Sequence, residues 1–362
     1  MPPLRRRLAA AVALLLSGTL ALASPELVSR DPLPDPQVLQ VDGEWFIFGT
    51  AVKPFLLYGD ALSPDRMRRK DLQLDYGTWP HAVQTIWGFT VYRHEDGAFH
   101  AYATLHLGDF HTVVAHFLPA PGEKWTKGSP IARWRMTGVL LGDVAARDWT
   151  CYESKIVREP DGPLYLVYCC SNGRNQNEIR AQRMRDPGEI DRRFEARTLL
   201  RPDGYRSEDR NAPGGLQLVE GASLCRIGGK WVLLYSVGDY AQKTYSLGVA
   251  YSDRLVPPPG EFYEKVLLPD PGRIWGNEGR TDEVGYLLQS THADWPNYCG
   301  GSVAGPGLGS IVFKKESPWL VFHGYRPDDA KRDPADRFVW QVPLRISIAE
   351  DRPMAEWIRP VL

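Results

Sequence analysis

Three acidic residues recur at matching places along the chain. Asp35 stands 8 residues before Gly43, and Glu153 and Glu220 each stand 9 residues before a glycine of their own. A strand rich in aromatic and aliphatic side chains follows each of these glycines. When repeats are arranged around one axis, residues at equal places in the repeats converge. Converging carboxyl groups suit the hydrolysis of a glycosidic bond, in which one carboxyl protonates the leaving oxygen and another activates water or attacks carbon.

A strand-turn-strand phrase that occurs five times supplies the frame for these carboxylates. Its copies turn at residues 43, 97, 162 and 229, and the fifth copy leads into the strand that contains Trp319. Short alternating runs of Val, Tyr, Trp, Phe and Leu lie between Gly, Pro and Asp clusters, as is typical of β-strands. The sequence therefore predicts an all-β fold, a five-bladed β-propeller whose last strand, near residues 340–346, helps to close the ring. A pair of two-sheet β-sandwiches is the alternative, although it would not need such a repeat.

The first residues have the order of an export signal. Three arginines at 5–7 precede an apolar run at 8–16 and small residues at 21–24. This order predicts a signal peptide over residues 1–24 and a single propeller domain over residues 25–362. The apolar run is shorter than the roughly 20 residues that span a bilayer, so no membrane insertion is predicted. We expect a secreted or periplasmic protein.

Charge and aromatic content indicate the class of ligand. The chain has 43 Lys and Arg against 44 Asp and Glu, a balance that gives nucleic acid little attraction. Its 12 Trp and 16 Tyr suit flat, half-polar ligands, because aromatic rings combine an apolar face with a polar handle. The sequence predicts a monomer with a polysaccharide or oligosaccharide as its partner and no nucleic acid.

The five cysteines are too few for a disulfide scaffold, and their odd number leaves at least one unpaired. Export makes disulfides possible, so one bridge between neighbouring strands is predicted. The alternative is that the cysteines are small buried side chains. Neither the cysteine spacing nor the histidine spacing matches a zinc motif, and no metal ligands are predicted.

Several of these phrases resemble glycoside hydrolase family 43. They are Asp35-Pro36, Glu220-Gly221-Ala222-Ser223-Leu224 and Gly305-Pro306-Gly307, and the resemblance spans nearly all of residues 25–362. It implies a five-bladed propeller enzyme that cleaves arabinose- or xylose-containing polysaccharides with inversion. Position by position, it implies Asp35 as the base, Glu220 as the acid and Glu153 at the place of an aspartate that tunes the acid.

The chain departs from the family pattern at several places. Glu153-Ser154 replaces an Asp-Pro pair, and Leu308 stands where many members carry a histidine that helps to hold a calcium or other ion. A structural calcium therefore does not follow from the resemblance; no cofactor is predicted, and a structural calcium is kept as the alternative. Trp87 is predicted to be a sugar platform. His323, at the end of the fifth repeat's aromatic strand, is the second predicted substrate-binding residue, and the alternative is that it packs in the core.

Two other functions fit the same residues. One is a glycan-binding propeller without catalysis, which would keep the aromatic residues and would not need three carboxylates. The other is a retaining propeller hydrolase of the sucrose and fructan type, in which Asp35 would be a nucleophile. The sequence contains no G-x-S-x-G motif, which argues against an esterase.

Overall fold

In a computed structural model, the structure describes residues 24–108, 111–142, 150–171, 176–209, 215–269, 282–284, 286–291, 298–329 and 333–344. The predicted signal peptide, residues 1–24, lies outside this part of the chain except for Ser24. Strands dominate, beginning with β1 (Glu26–Leu27), and two short 3-10 helices cover Arg206–Glu208 and Pro334–Asp336. In the described part of the chain, no helix has the length and apolar character needed to cross a membrane.

The strands form five mainly antiparallel sheets, or blades, numbered here I to V. Blade I contains β2 (Gln37–Val41), β3 (Glu44–Phe48), β4 (Phe55–Gly59) and β5 (Arg68–Asp71). Blade II contains β6 (Gln73–Asp75), β7 (Thr85–Arg93), β8 (Phe99–Gly108), β9 (His111–Pro119) and β10 (Arg133–Leu141). The strands of blade II lie in the order β6-β10-β9-β8-β7, and β6 runs parallel to β10.

The remaining blades follow the same plan with longer additions. Blade III contains β11 (Cys151–Arg158), β12 (Leu164–Ser171), β13 (Gln176–Asp186), β14 (Glu189–Ile190), β15 (Arg197–Leu200) and β16 (Gln217–Leu218). Blade IV contains β17 (Glu220–Ile227), β18 (Lys230–Val237), β19 (Ser246–Ser252), β20 (Glu264–Lys265) and β23 (Tyr286–Leu288). Between β20 and β23, β21 (Leu267–Pro269) and β22 (Asp282–Val284) form a separate two-stranded sheet. Blade V contains β24 (Ala304–Lys314), β25 (Ser317–Tyr325) and β26 (Phe338–Pro343), together with β1.

The blades are arranged in a closed ring. Their first long strands contact one another in the cycle β2, β7, β11, β17, β24 and back to β2. The ring closes in blade V, where β1 pairs with β26 through Glu26 opposite Gln341 and Leu27 opposite Trp340. The first and the last described strands thus share one sheet, which protects its edges. The predicted five-bladed propeller is confirmed, and the sandwich alternative is wrong.

The core consists of five apolar clusters, one at each junction between blades. Alternation along the strands divides the side chains between two junctions. On β18, for example, Leu233 packs toward blade III and Leu234 toward blade V. Each such buried aliphatic side chain contributes about 1.5–3 kcal/mol, so the junctions hold the ring rigid around its axis.

All five cysteines are thiols in this structure. The bridge predicted between neighbouring strands is therefore not formed in it. Cys151, Cys169, Cys170 and Cys299 are buried, in keeping with the alternative of small buried side chains.

Candidate active site

A left-handed backbone conformation recurs where the residues of the site are found. One residue near the start of each innermost strand is left-handed, with φ of 58° at Asp35, 65° at Gly88, 52° at Glu153, 70° at Gly221 and 39° at Leu308. In blades II to V a register shift follows, which marks a β-bulge. A non-glycine residue in this region costs of the order of 1–3 kcal/mol and persists only where its surroundings hold it. In blade III the left-handed residue is Glu153 itself, whereas in blade IV it is Gly221, which directly follows Glu220.

The bulges open onto a cavity of about 820 Å³ that is lined by residues of all five blades. Asp35, Glu153 and Glu220 all line it, and so does Trp87. Each of the three carboxylate residues has less than a tenth of its surface exposed. The structure thus brings together carboxyl groups that are far apart in sequence, at the place where the repeat predicts that they meet.

Asp35 is held by two basic side chains and a hydroxyl. Arg337 donates from Nη1 to Asp35 Oδ1 at 3.1 Å, and Thr50 donates from Oγ1 to Oδ2. Burial raises the pKa of Asp35, but Arg337 and His323 together lower it by more than burial raises it. The resulting pKa lies well below the usual range of an aspartate. Asp35 is therefore ionised at every working pH, the state that a general base or a nucleophile requires.

His323, predicted from the sequence to bind substrate, lies behind the cavity. It is fully buried, it does not line the cavity, and it sits behind Asp35 instead of facing a ligand. Its Nδ1 accepts the backbone N–H of Asp35 at 2.8 Å and lies 3.2 Å from Asp35 Oδ1. Its Nε2 lies 3.0 Å from Arg337 Nη1. Burial, with Arg337 next, lowers the pKa of His323 to about 4, so the ring is neutral.

Glu153 lies in a contrasting environment. Burial raises the pKa of its carboxyl well above the usual range, and the charges of Glu220 and Asp35 raise it further, while Lys155 opposes them. Thr104 Oγ1 accepts the backbone N–H of Glu153 at 2.9 Å and fixes the bulge. The cavity therefore contains one carboxyl that favours the ionised form, Asp35, and one that favours the protonated form, Glu153.

The carboxyl group of Glu220 accepts hydrogen bonds from two tyrosines. Tyr245 donates its hydroxyl to Oε1 at 2.7 Å, and Tyr152 donates to Oε2 at 3.0 Å. Asn177 Nδ2 in turn donates to the Tyr152 oxygen at 2.7 Å, which directs the Tyr152 proton toward Glu220. Both oxygens of this carboxyl therefore have fixed directions. Neither tyrosine was predicted as a site residue from the sequence.

A buried thiol connects the two glutamates. Cys169 donates from Sγ to Glu153 Oε2 at 3.7 Å and accepts the backbone N–H of Gly221 at 3.3 Å. Gly221 directly follows Glu220 in the chain. Cys169 thus connects the bulge of blade III to that of blade IV.

The lining of the cavity includes aromatic and apolar side chains. Trp87 stacks on His106 with ring centroids 4.4 Å apart and planes 15° apart, which holds the indole in place. Pro32, Val52 and Pro334 also line the cavity, and Val52 is 73% exposed. A ring face beside carboxyl groups is the arrangement that packs on the C–H edges of a sugar.

The residues present do not fit a metal ion at the axis. Leu308 is buried there, with Gly221 directly against its side chain, and it packs with Leu218 and Tyr245. Within the described ranges, no three His, Cys, Asp or Glu side chains are grouped so that they could hold a metal. No chemical step is therefore assigned to a metal.

Sequence comparisons give no match: no protein-family model fits this chain, and no curated protein is matched. Solved structures do match in three dimensions. A thermostable family-43 glycoside hydrolase has a TM-score of 0.66 and 19% identity over 93% of this chain and 99% of its own. The α-L-arabinofuranosidase from Lactobacillus brevis has a TM-score of 0.67 and 16% identity over 89% and 94% of the two chains.

A third similar structure is the α-L-arabinanase of Cellvibrio cellulosa in complex with arabinohexaose. It has a TM-score of 0.61 and 16% identity, over 87% of this chain and 93% of its own. At such identities the similarity concerns the fold, and it extends over nearly the whole length of the proteins compared. This chain therefore has the propeller fold of glycoside hydrolases of known structure, family 43 among them.

Proposed function

We propose that the protein is a glycoside hydrolase that cleaves arabinose- or xylose-containing polysaccharides or oligosaccharides. The observation that carries this proposal is the single cavity lined by three buried carboxyl groups, of which Asp35 favours the ionised form and Glu153 the protonated form. Pairs of titratable groups whose environments push their pKa values apart are typical of acid and base assignments. The similar structures, an arabinofuranosidase and an arabinanase among them, support this class of sugar.

In this proposal Asp35 is the general base. Its ionised carboxylate, held by Arg337, accepts a proton from the attacking water. Water then attacks the anomeric carbon on the face opposite to the leaving group, and the product has inverted configuration. Inversion and the role of Asp35 follow from the family resemblance, and the low pKa of Asp35 supports them.

Glu220 is the general acid. Tyr152 receives a hydrogen bond from Asn177 and directs its own proton to Oε2, so Oε2 stays an acceptor. The acid proton of Glu220 then belongs on Oε1, where the Tyr245 hydroxyl lies at 2.7 Å and can turn from donor to acceptor. Glu153, kept neutral nearby, supports Glu220 without adding a negative charge to the site.

We further propose export of residues 25–362 as a monomer after removal of the predicted signal peptide, residues 1–24. A secreted or periplasmic location suits an enzyme whose substrate is a polysaccharide. No membrane anchor and no nucleic-acid partner belong to this proposal.

The test is sugar release from arabinan, arabinoxylan, xylan, galactan and fructan by wild type, Glu220→Gln and Glu261→Gln. Glu261 is an exposed glutamate of the same chain and serves as the matched control. We expect wild type and Glu261→Gln to cut an arabinose- or xylose-containing glycan equally well, and Glu220→Gln to lose about 10²–10⁴-fold. If wild type cuts none of the glycans, or if Glu220→Gln retains the wild-type rate, the proposal is wrong.

A further inference from the structure

Cys151 and Cys170 lie directly opposite each other on two neighbouring antiparallel strands. They are Cα partners on β11 and β12, as are Tyr152 and Cys169 one step further. The preceding pair, Thr150 and Ser171, is hydrogen-bonded, since Ser171 N donates to Thr150 O at 3.0 Å. Antiparallel pairs alternate between hydrogen-bonded and non-hydrogen-bonded, so Cys151 and Cys170 form a non-hydrogen-bonded pair.

Both cysteine side chains point to the same face of the sheet. They belong to the apolar cluster between blades II and III, together with Tyr102, whereas Tyr152 and Cys169 pack toward blade IV. Cα atoms of a non-hydrogen-bonded pair lie about 4.5 Å apart, and disulfides join Cα atoms about 4.4–6.8 Å apart. The backbone of β11 and β12 therefore already has the spacing that a cross-strand disulfide needs.

We infer that Cys151 and Cys170 form a disulfide when the chain folds in an oxidising compartment, which the proposed export would provide. The thiolate of one cysteine attacks a small-molecule disulfide such as oxidised glutathione, and one reduced glutathione leaves. The thiolate of the second cysteine then attacks the mixed disulfide and releases the second glutathione. The two cysteines are oxidised by two electrons, and one glutathione disulfide is reduced to two thiols.

The other three cysteines are poorly placed to compete. Cys169 adjoins Cys170 in sequence but contacts Glu153 on the opposite face. Cys225 and Cys299 pack at the junction of blades IV and V. One specific pair is therefore expected, with three cysteines left as thiols.

Burial determines when the bond forms. It raises the pKa of Cys151 to about 11 and that of Cys170 to about 12, so few thiolates are present once the cluster has closed. Oxidation therefore occurs while β11 and β12 pair during folding. The bond then fixes the start of β11, whose next residues, Tyr152 and Glu153, belong to the candidate active site.

The experiment is refolding of the full chain with oxidised and reduced glutathione, followed by alkylation and peptide mapping by mass spectrometry. Trypsin cuts after Lys155 and Arg158, so Cys151 and Cys170 fall on separate peptides unless they are linked. We expect a linked peptide pair, three alkylated cysteines instead of five, and a midpoint of thermal unfolding about 3–8 °C above that of the reduced protein.

Matched variants assign the bond. The linked pair is lost in Cys170→Ser and kept in Cys169→Ser, although both residues lie on the same tryptic peptide. Five alkylated cysteines after oxidative refolding, or a linked pair that includes Cys169, Cys225 or Cys299, would overturn the inference. Because the readout is the state of the thiols, it does not depend on whether the chain hydrolyses a glycan.

Discussion

Replacing Arg337 by methionine is expected to raise the pKa of Asp35 toward the usual range of an aspartate. Arg337 Nη1 lies 3.1 Å from Asp35 Oδ1, and the two side chains are only 7% and 9% exposed. Methionine keeps much of the arginine stem and removes the charge. Burial then acts on the Asp35 carboxyl with only His323 and Thr50 to oppose it, so the pKa of Asp35 rises.

The size of the effect follows from the geometry. Unit charges 3.1 Å apart attract by about 5 kcal/mol at an effective dielectric constant of about 20, and removing one partner of a buried ion pair costs about 3–5 kcal/mol. At about 1.4 kcal/mol per pH unit, this cost corresponds to an upward shift of about two to three and a half units in the pKa of Asp35. In wild type the stability that ionised Asp35 contributes is present above about pH 4 and is lost as the pH falls through the lower, folded-state pKa.

The assay is the pH dependence of kcat/KM on whichever glycan the wild type cleaves, together with urea unfolding at pH 7. Arg337→Met should move the acidic limb of the profile upward by about two pH units and lower the free energy of unfolding by about 3–5 kcal/mol. The control is Arg69→Met, which removes another cavity-lining arginine that is 44% exposed and should move neither quantity. An unchanged acidic limb in Arg337→Met would refute the assignment of Asp35 as a base held ionised by Arg337.

Three further predictions concern the surroundings of the site. Tyr245→Phe removes the hydroxyl that lies 2.7 Å from Glu220 and should lower kcat/KM about 5- to 100-fold, since a buried polar group left without its partner costs about 1–3 kcal/mol. Burial, with the charge of a neighbouring histidine next, lowers the pKa of His116 to about 4, so the free energy of unfolding should decrease as the pH is lowered from about 6.5 to about 4. In His116→Gln this decrease should be smaller by up to about 3 kcal/mol. Parallel pH–stability curves for the two proteins would contradict this prediction. Gly307→Ala would place a Cβ 1.9 Å from Tyr245 and should lower the midpoint of thermal unfolding, whereas Gly301→Ala, with nothing within 4 Å, should leave it unchanged.

The propeller could be predicted from the sequence because its repeat is visible in the chain. The turn glycines, the aromatic strands that follow them and the three acidic residues recur in the same order in several copies. Radial symmetry then requires that Asp35, Glu153 and Glu220 meet, and the cavity contains all three. Local periodicity and repetition were therefore sufficient to predict the propeller and the meeting of the three carboxyl groups.

The residues that hold the carboxylates could not be predicted in the same way. Arg337 comes from the last part of the chain and reaches Asp35 across about 300 residues, and nothing in its neighbourhood of sequence marks it. Tyr152 is an ordinary strand residue by pattern and Tyr245 directly precedes β19, so neither belongs to a motif that would mark its hydrogen bond to Glu220. His323 ends an aromatic strand in the sequence, and the sequence does not indicate that its side chain is buried behind Asp35 and does not line the cavity.

Leaving-group dependence is the most direct test of the central claim that Asp35 and Glu220 are the base and the acid of a hydrolytic site. Glu220→Gln and Asp35→Asn are compared with wild type on an unactivated glycoside and on a dinitrophenyl glycoside of the same sugar, whose leaving group needs no proton. Glu220→Gln should lose about 10²–10⁴-fold on the first and recover most of the wild-type rate on the second, whereas Asp35→Asn should lose activity on both. Equal losses of Glu220→Gln on both glycosides would contradict the account.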